Sequence, residues 1–274
     1  MALQRRLPGQ RFLYLGDHAS APYGERHPRE IYDLTQAGVE SLFVRGCRLV
    51  VLACNTASAL SLRALQQQWL PGRAPECRIL GVFAPAVEAI THRPWQLDGR
   101  PAEECPTARK VAVFATRRTV ESGAFPREIA ARSLAVSVFQ QACPGLAGRI
   151  EAGASRRELY DMIRDDVSRL LHNMDGQVPD LAVLACTHYP LVSEAFEAAL
   201  PAATQLLSQP DLVGKSLQAY LQRHPEFRES CGPGVTSCLT TGDPLAVSER
   251  ASSFTGQDWT FEALTNQDRA KATA

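Results

Sequence analysis

Lysine is nearly missing from this 274-residue chain: Lys110, Lys215 and Lys271 are the only three. An enzyme that holds pyridoxal phosphate needs a lysine for its Schiff base. Lys110 opens an apolar strand pattern and Lys271 sits in the tail, so neither suits that role. No GxGxxG run and no P-loop occurs either, which removes the common nucleotide-binding motifs. Net charge is missing as well, since 29 basic residues balance 29 acidic ones. Nothing therefore attracts a phosphate backbone or an anionic bilayer. No apolar run approaches the roughly 20 residues of a membrane span. Met1-Ala2-Leu3-Gln4-Arg5-Arg6 has no apolar core of a secretory leader. These absences predict a soluble, cytoplasmic protein with no cofactor, and with neither a nucleic acid nor a membrane as partner.

Cysteine is present eight times, at Cys47, Cys54, Cys77, Cys105, Cys143, Cys186, Cys231 and Cys238, without a CxxC pair or a Cys/His cluster at zinc spacing. No metal site is expected. A chain of this length and 45% hydrophobic content fills a core without disulfide staples. Free cysteine is usually a small buried hydrophobe, so identity alone singles out none of the eight.

Short apolar runs alternate with longer helical patterns. Segments 11–16, 49–53, 79–83, 110–115 and 181–185 read as buried parallel strands. Between them, 28–45, 56–70, 119–133 and 155–173 read as amphipathic helices. This alternation predicts an α/β fold of doubly wound parallel sheets. The Pro- and charge-rich stretch 93–109 is expected to be an exposed excursion, and the tail beyond Gln257 to be loosely ordered apart from one short helix.

An internal repeat selects two cysteines. Val51-Leu52-Ala53-Cys54-Asn55-Thr56 and Val183-Leu184-Ala185-Cys186-Thr187-His188 share one plan: an apolar strand, Ala-Cys, small polar residues, then a helix. Ligands of α/β sheets bind beyond the carboxyl ends of the strands, so each copy sets a thiol at the mouth of a half-site. A helix N-terminus beside each would favour the thiolate. Two thiols on opposite sides of one carbon suit the inversion of that carbon. One accepts a proton on one face, the other donates on the opposite face, and an ordinary thiol pKa of about 8.5 keeps both forms accessible. His188, two residues after Cys186, is placed to exchange a proton with it.

The blocks Gly16-Asp17-His18-Ala19-Ser20-Ala21-Pro22-Tyr23-Gly24, Ala53-Cys54-Asn55-Thr56-Ala57, Ala115-Thr116-Arg117-Arg118-Thr119, Cys143-Pro144 with Ile150-Glu151-Ala152-Gly153, and Ala185-Cys186-Thr187-His188-Tyr189-Pro190 occur in this order. In order and spacing they resemble the aspartate/glutamate racemase family, and within it the glutamate racemases. The resemblance runs from about Leu3 to Asp243. It implies cofactor-independent racemisation of glutamate, supplying D-glutamate for peptidoglycan. By it, Cys54 and Cys186 are the acid/base thiols, the first paired with the α-proton of D-glutamate and the second with that of L-glutamate. It further implies that His188 supports Cys186 and that Glu151 lines the site. Tyr23, Gly24, Asn55, Thr56 and Thr187 would bind substrate, with help from Thr116 and Thr119. Two pseudo-symmetric lobes follow, 1–84 plus 205–262 and 85–204, with the site in the cleft between them. Another substrate, aspartate for example, and a non-catalytic glutamate-binding remnant stay open as alternatives. Oligomeric state also stays open, a homodimer included.

The chain departs from the family in one large respect. The family's opening strand, ending Asp-Ser-Gly-x-Gly-Gly, is absent. The repeat makes the same point: Thr116 lies 70 residues before Cys186, whereas that distance before Cys54 falls upstream of Met1. The expectation is a Met1 that is internal to a longer product, or else a true truncation. A chain expressed from Met1 would then be poorly soluble or inactive until about 20 upstream codons are restored. Smaller departures are Phe83-Ala84-Pro85, where the family often has Glu before Pro, and Phe125, where Tyr is common.

Overall fold

The computed structural model describes residues 2–93, 108–228 and 236–264. The excursion predicted over 93–109 lies almost wholly outside them. The described chain forms two compact units: Met1–Leu52, Ser61–Leu80 and Gly214–Ala274 make the first, and Ala53–Leu60 with Gly81–Val213 make the second. The α/β class predicted from the alternation holds in both. Nine strands are described: β1 Phe12–Gly16, β2 Leu49–Leu52, β3 Arg78–Gly81, β4 Arg109–Ala115, β5 Val136–Ala142, β6 Leu181–Ala185, β7 Gln205–Leu207, β8 Thr236–Thr240 and β9 Phe261–Ala263.

The second unit is built on one parallel sheet in the order β5-β4-β6-β7. Its two central strands show why their sequences are continuously apolar. Side chains alternate across a strand. Ala112, Phe114, Ala182 and Leu184 therefore face one layer, with Leu159, Ile163, Val167 and Leu170 of helix Arg156–Asn173 and with Phe196. Val111, Val113, Leu181 and Val183 face the other, with Phe83, Val87 and Ile90 of helix Phe83–Thr91 and with Phe125 and Ile129. Every residue of β6 is buried. A sheet covered on both faces needs apolar residues at consecutive positions.

The first unit holds two sheets, β1-β8-β9 and β2-β3. In the second unit β4 pairs with both β5 and β6; no described strand pairs with both β1 and β2. β1 is correspondingly less covered than a doubly buried strand, with Tyr14 42% exposed. Leu217 and Leu221 of helix Gln209–Arg223 pack against Phe12 of β1, Leu49 and Val51 of β2 and Leu80 of β3.

Several boundaries differ from the sequence reading for identifiable reasons. The helix expected over 119–133 is two helices, Arg117–Glu121 and Ala124–Ala130, parted at Gly123 with φ 60°. A residue with a side chain rarely adopts that conformation. The helix expected over 56–70 starts at Asn55 and widens over Leu65–Trp69, where the Leu70 N–H reaches back five residues to Leu65. Pro71 follows and has no N–H to continue the ladder. The strand expected over 79–83 ends at Gly81, and Phe83 already begins a helix. Beyond Gln257 the described chain carries a strand, β9, and the helix of that region, Pro244–Thr255, precedes it. No described helix is long and apolar enough to cross a membrane.

Candidate functional site

In the second sheet three neighbouring strands end at one level. Ala115 of β4 is in register with Ala142 of β5 and Ala185 of β6. Thr116, Cys143 and Cys186 are the residues that leave those ends. The segment Ala53–Leu60, with Cys54, belongs to the same unit. The two cysteines singled out by the repeat are within electrostatic reach, since charge on Cys186 raises the pKa of Cys54.

Cys54 sits where a helix N-cap belongs. Its carbonyl accepts the first helical bond, from Ser58 at 2.9 Å, and its sulfur accepts the Ala57 N–H at 3.5 Å. A cap side chain satisfies an otherwise orphaned amide, and the positive end of the helix dipole favours negative charge there. Burial opposes this and pushes the Cys54 thiol up; the amides of Ala57 and Thr56 and the Thr56 hydroxyl pull against it. The resting form is therefore the thiol, with donors in place for the thiolate.

Thr56 also has partners beyond the sulfur. Thr56, Thr116 and Thr119 form a buried triangle of hydroxyls with sides of 2.9, 3.1 and 3.0 Å. Each hydroxyl has one hydrogen and two lone pairs, so the three can bond in a ring, and the Thr56 hydrogen can instead turn to the Cys54 sulfur. Thr116 also caps its own helix, its hydroxyl accepting the Thr119 N–H at 3.4 Å. Thr116→Val removes the cap and opens the ring, and should cost about 1–2 kcal/mol. A thermal melt of this variant without a lowered midpoint would contradict the cap and ring. Asn55 pairs with Gln209, a residue to which no sequence motif points.

Cys186 is held differently, which corrects the expectation of a helix N-terminus beside each thiol. After Cys186 the chain turns into the four-residue 3-10 segment Tyr189–Val192. The partner of its sulfur is a ring: His188 Nδ1 lies 3.8 Å away. The other ring nitrogen, Nε2, is 2.7 Å from Glu151 Oε1. Burial, the largest single influence on the ring, favours its neutral form, but the hydrogen bonds to Cys186 and Glu151 and their charges outweigh it and raise His188 to about 10. The ring is thus a proton-loaded neighbour of the sulfur at neutral pH. A raised pKa in the folded state gives stability that is complete below about 6.5, the ordinary histidine value, and is lost as pH climbs towards 10. Glu151→Gln should therefore lower the His188 pKa. The stability gap between the two proteins should be widest below pH 6.5 and close towards pH 10, as read by denaturant melts over that range. A gap that widens with pH would refute the pairing.

Behind Cys186 lies a buried group the sequence does not advertise. Burial pushes the Cys143 thiol far up, as it does Tyr189, whose hydroxyl donates to the Cys143 carbonyl at 3.3 Å. Cys143 therefore stays a thiol. Three candidates remain, Thr187, Tyr23 and Gly24. Thr187 is exposed on the turn after Cys186. Tyr23 and Gly24 belong to the first unit, on the 3-10 turn Tyr23–Glu25 that follows a cis Ala21–Pro22 bond. There the Tyr23 hydroxyl donates to Asp17 Oδ2 at 2.7 Å and the Thr241 hydroxyl to Oδ1 at 2.6 Å. Asp17 thus organises the turn. The described cysteines, six in all, are free thiols.

A family profile described as Asp/Glu/Hydantoin racemase matches residues 1–208. A glutamate racemase of Jannaschia sp. is 46% identical over 96% of this chain and 93% of its own length. That of Phenylobacterium zucineum is 43% identical over 95% and 93%. Among solved structures, the glutamate racemase of Thermus thermophilus in complex with beta-chloro-D-alanine superimposes with a TM-score of 0.75 and 29% identity, over 97% of this chain and 91% of that one. The Francisella tularensis enzyme in complex with D-glutamate, 21% identical, shares the fold with a TM-score of 0.80 over 96% and 91%. The chain belongs to the Asp/Glu/Hydantoin racemase family.

Proposed function

We propose that this protein interconverts L- and D-glutamate in the cytoplasm by proton transfer at the α-carbon, with Cys54 and Cys186 as its acid/base pair, and so supplies D-glutamate for peptidoglycan. The observation that carries the reading is the placement of two thiols at equivalent strand ends within electrostatic reach, each with its own means of handling a proton. From L-glutamate, Cys186 as thiolate takes the α-proton, breaking the C–H bond and leaving a carbanion-like α-carbon. Cys54 as thiol delivers its proton to the opposite face, and D-glutamate leaves. The two sulfurs have then exchanged protonation states, and the reverse reaction runs from that state. His188, charged by its bonds to Cys186 and Glu151, supplies and recovers the proton at Cys186. The buried amide of Asn55 and the hydroxyls of Thr56, Thr116 and Thr119 serve the substrate's carboxylates and ammonium. Tyr23, Gly24 and Thr187 join them on the family resemblance.

The test is direct. Purified protein given L-glutamate and no added cofactor should lose optical rotation towards zero and accumulate D-glutamate. Inversion of aspartate but not glutamate, or of neither by a chain that also carries the family's opening Asp-Ser-Gly strand, would overturn the reading.

A further inference from the structure

Gln209 opens helix Gln209–Arg223 and is buried. Its carboxamide and that of Asn55 form a reciprocal pair. Asn55 Nδ2 donates to Gln209 Oε1 at 2.9 Å, and Gln209 Nε2 donates to Asn55 Oδ1 at 2.9 Å. Such a ring satisfies both amides equally well if both are turned over together. A third bond breaks that symmetry. Gln209 Nε2 also donates to the Val82 carbonyl at 3.2 Å, and a reversed Gln209 would set two oxygens against each other there. Val82 therefore fixes Gln209, and Gln209 fixes Asn55. One Nδ2 hydrogen and one Oδ1 lone pair of Asn55 lie outside the ring. Their direction is set by a residue 154 positions away in sequence.

We propose that Gln209 is a positioning residue for racemisation, acting through Asn55: it decides which end of the Asn55 carboxamide meets the substrate and holds the first turn of the helix that Cys54 caps. The inference rests on the proposed substrate role of Asn55. A pair that only filled space would tolerate any residue of the same shape. A pair that orients an amide needs both donations from Gln209.

The experiment is the steady-state kinetics of Gln209→Ala, Gln209→Glu, Asn55→Ala and the double variant Asn55→Ala/Gln209→Ala, in the full chain with glutamate. Gln209→Glu keeps the length and shape of the side chain and loses both donations. Both Gln209 variants should raise KM about three- to tenfold, the size of one net hydrogen bond, with a smaller fall in kcat. Asn55→Ala should raise KM at least as much, and the double variant should be no worse than Asn55→Ala alone, because Gln209 then has nothing to position. KM is read from folded molecules only, so reduced yield leaves the comparison intact. Effects that multiply in the double variant, or a wild-type KM in Gln209→Ala or Gln209→Glu, would overturn the inference. An unchanged KM in Asn55→Ala would instead remove the substrate role of Asn55, and the inference with it.

Discussion

Replacing Cys54 or Cys186 with alanine should each lower glutamate racemisation by several orders of magnitude. A single acid/base group typically contributes about 10²–10⁴-fold, and a two-sided inversion uses both groups in every turnover. Neither loss can be covered by the other sulfur. Cys54 receives its stabilising donors from the helix it caps, and Cys186 depends on the His188–Glu151 pair. The controls are Cys47→Ala and Cys143→Ala, which should keep near-native turnover. Cys47 packs against the first unit's core, and burial keeps Cys143 protonated. The readout is the initial rate in both directions with each variant's fold verified by circular dichroism. Near-native racemisation by either Cys54→Ala or Cys186→Ala would end the two-base assignment.

The largest effect on stability should come from Phe114→Ala. Phe114 is fully buried on β4, a strand flanked on both sides by partners, and its ring lies 5.1 Å from that of Phe196. Truncating a buried phenylalanine costs about 3–5 kcal/mol through lost burial and the cavity left behind. Against a typical total of about 5–15 kcal/mol, that is a large share of the fold. The same side chain supports the strand end from which Thr116 departs, so activity should fall with stability. A denaturant midpoint within error of the parent would show that the sheet's core lies elsewhere.

The sequence reveals those parts whose pattern answers to local physics. β4 and β6 are covered on both faces, and their unbroken apolar runs reveal them. Helix Arg156–Asn173 reads clearly because Ser155 caps it and its apolar residues recur at helical spacing. The two Ala-Cys strand ends are visible because the repeat sets them side by side. What escapes is what depends on neighbours distant in the chain. β5 is an edge strand with Ser137, Gln140 and Gln141 along it, and carries no continuous apolar run. β8 and β9 join β1 from the far end of the chain, a pairing no local pattern announces. Glu151 by itself resembles a solvated loop residue, yet it bonds the ring of His188. Gln209 has no motif at all, and its partner Asn55 reads as an ordinary helix-start residue until the two are seen together.

The central claim, one sulfur on each face of the α-carbon, is tested most directly by the fate of hydrogen in heavy water. L-Glutamate is incubated in D2O, and substrate and product are separated after a few per cent conversion. Thiols exchange with solvent, so the donating sulfur carries deuterium while the accepting sulfur takes protium from the substrate. D-Glutamate should therefore carry deuterium at its α-carbon from the first turnovers, and unreacted L-glutamate should carry none. Product that retains the original protium, or substrate that gains deuterium as fast as product forms, would mean that a single base serves both faces and would contradict the account.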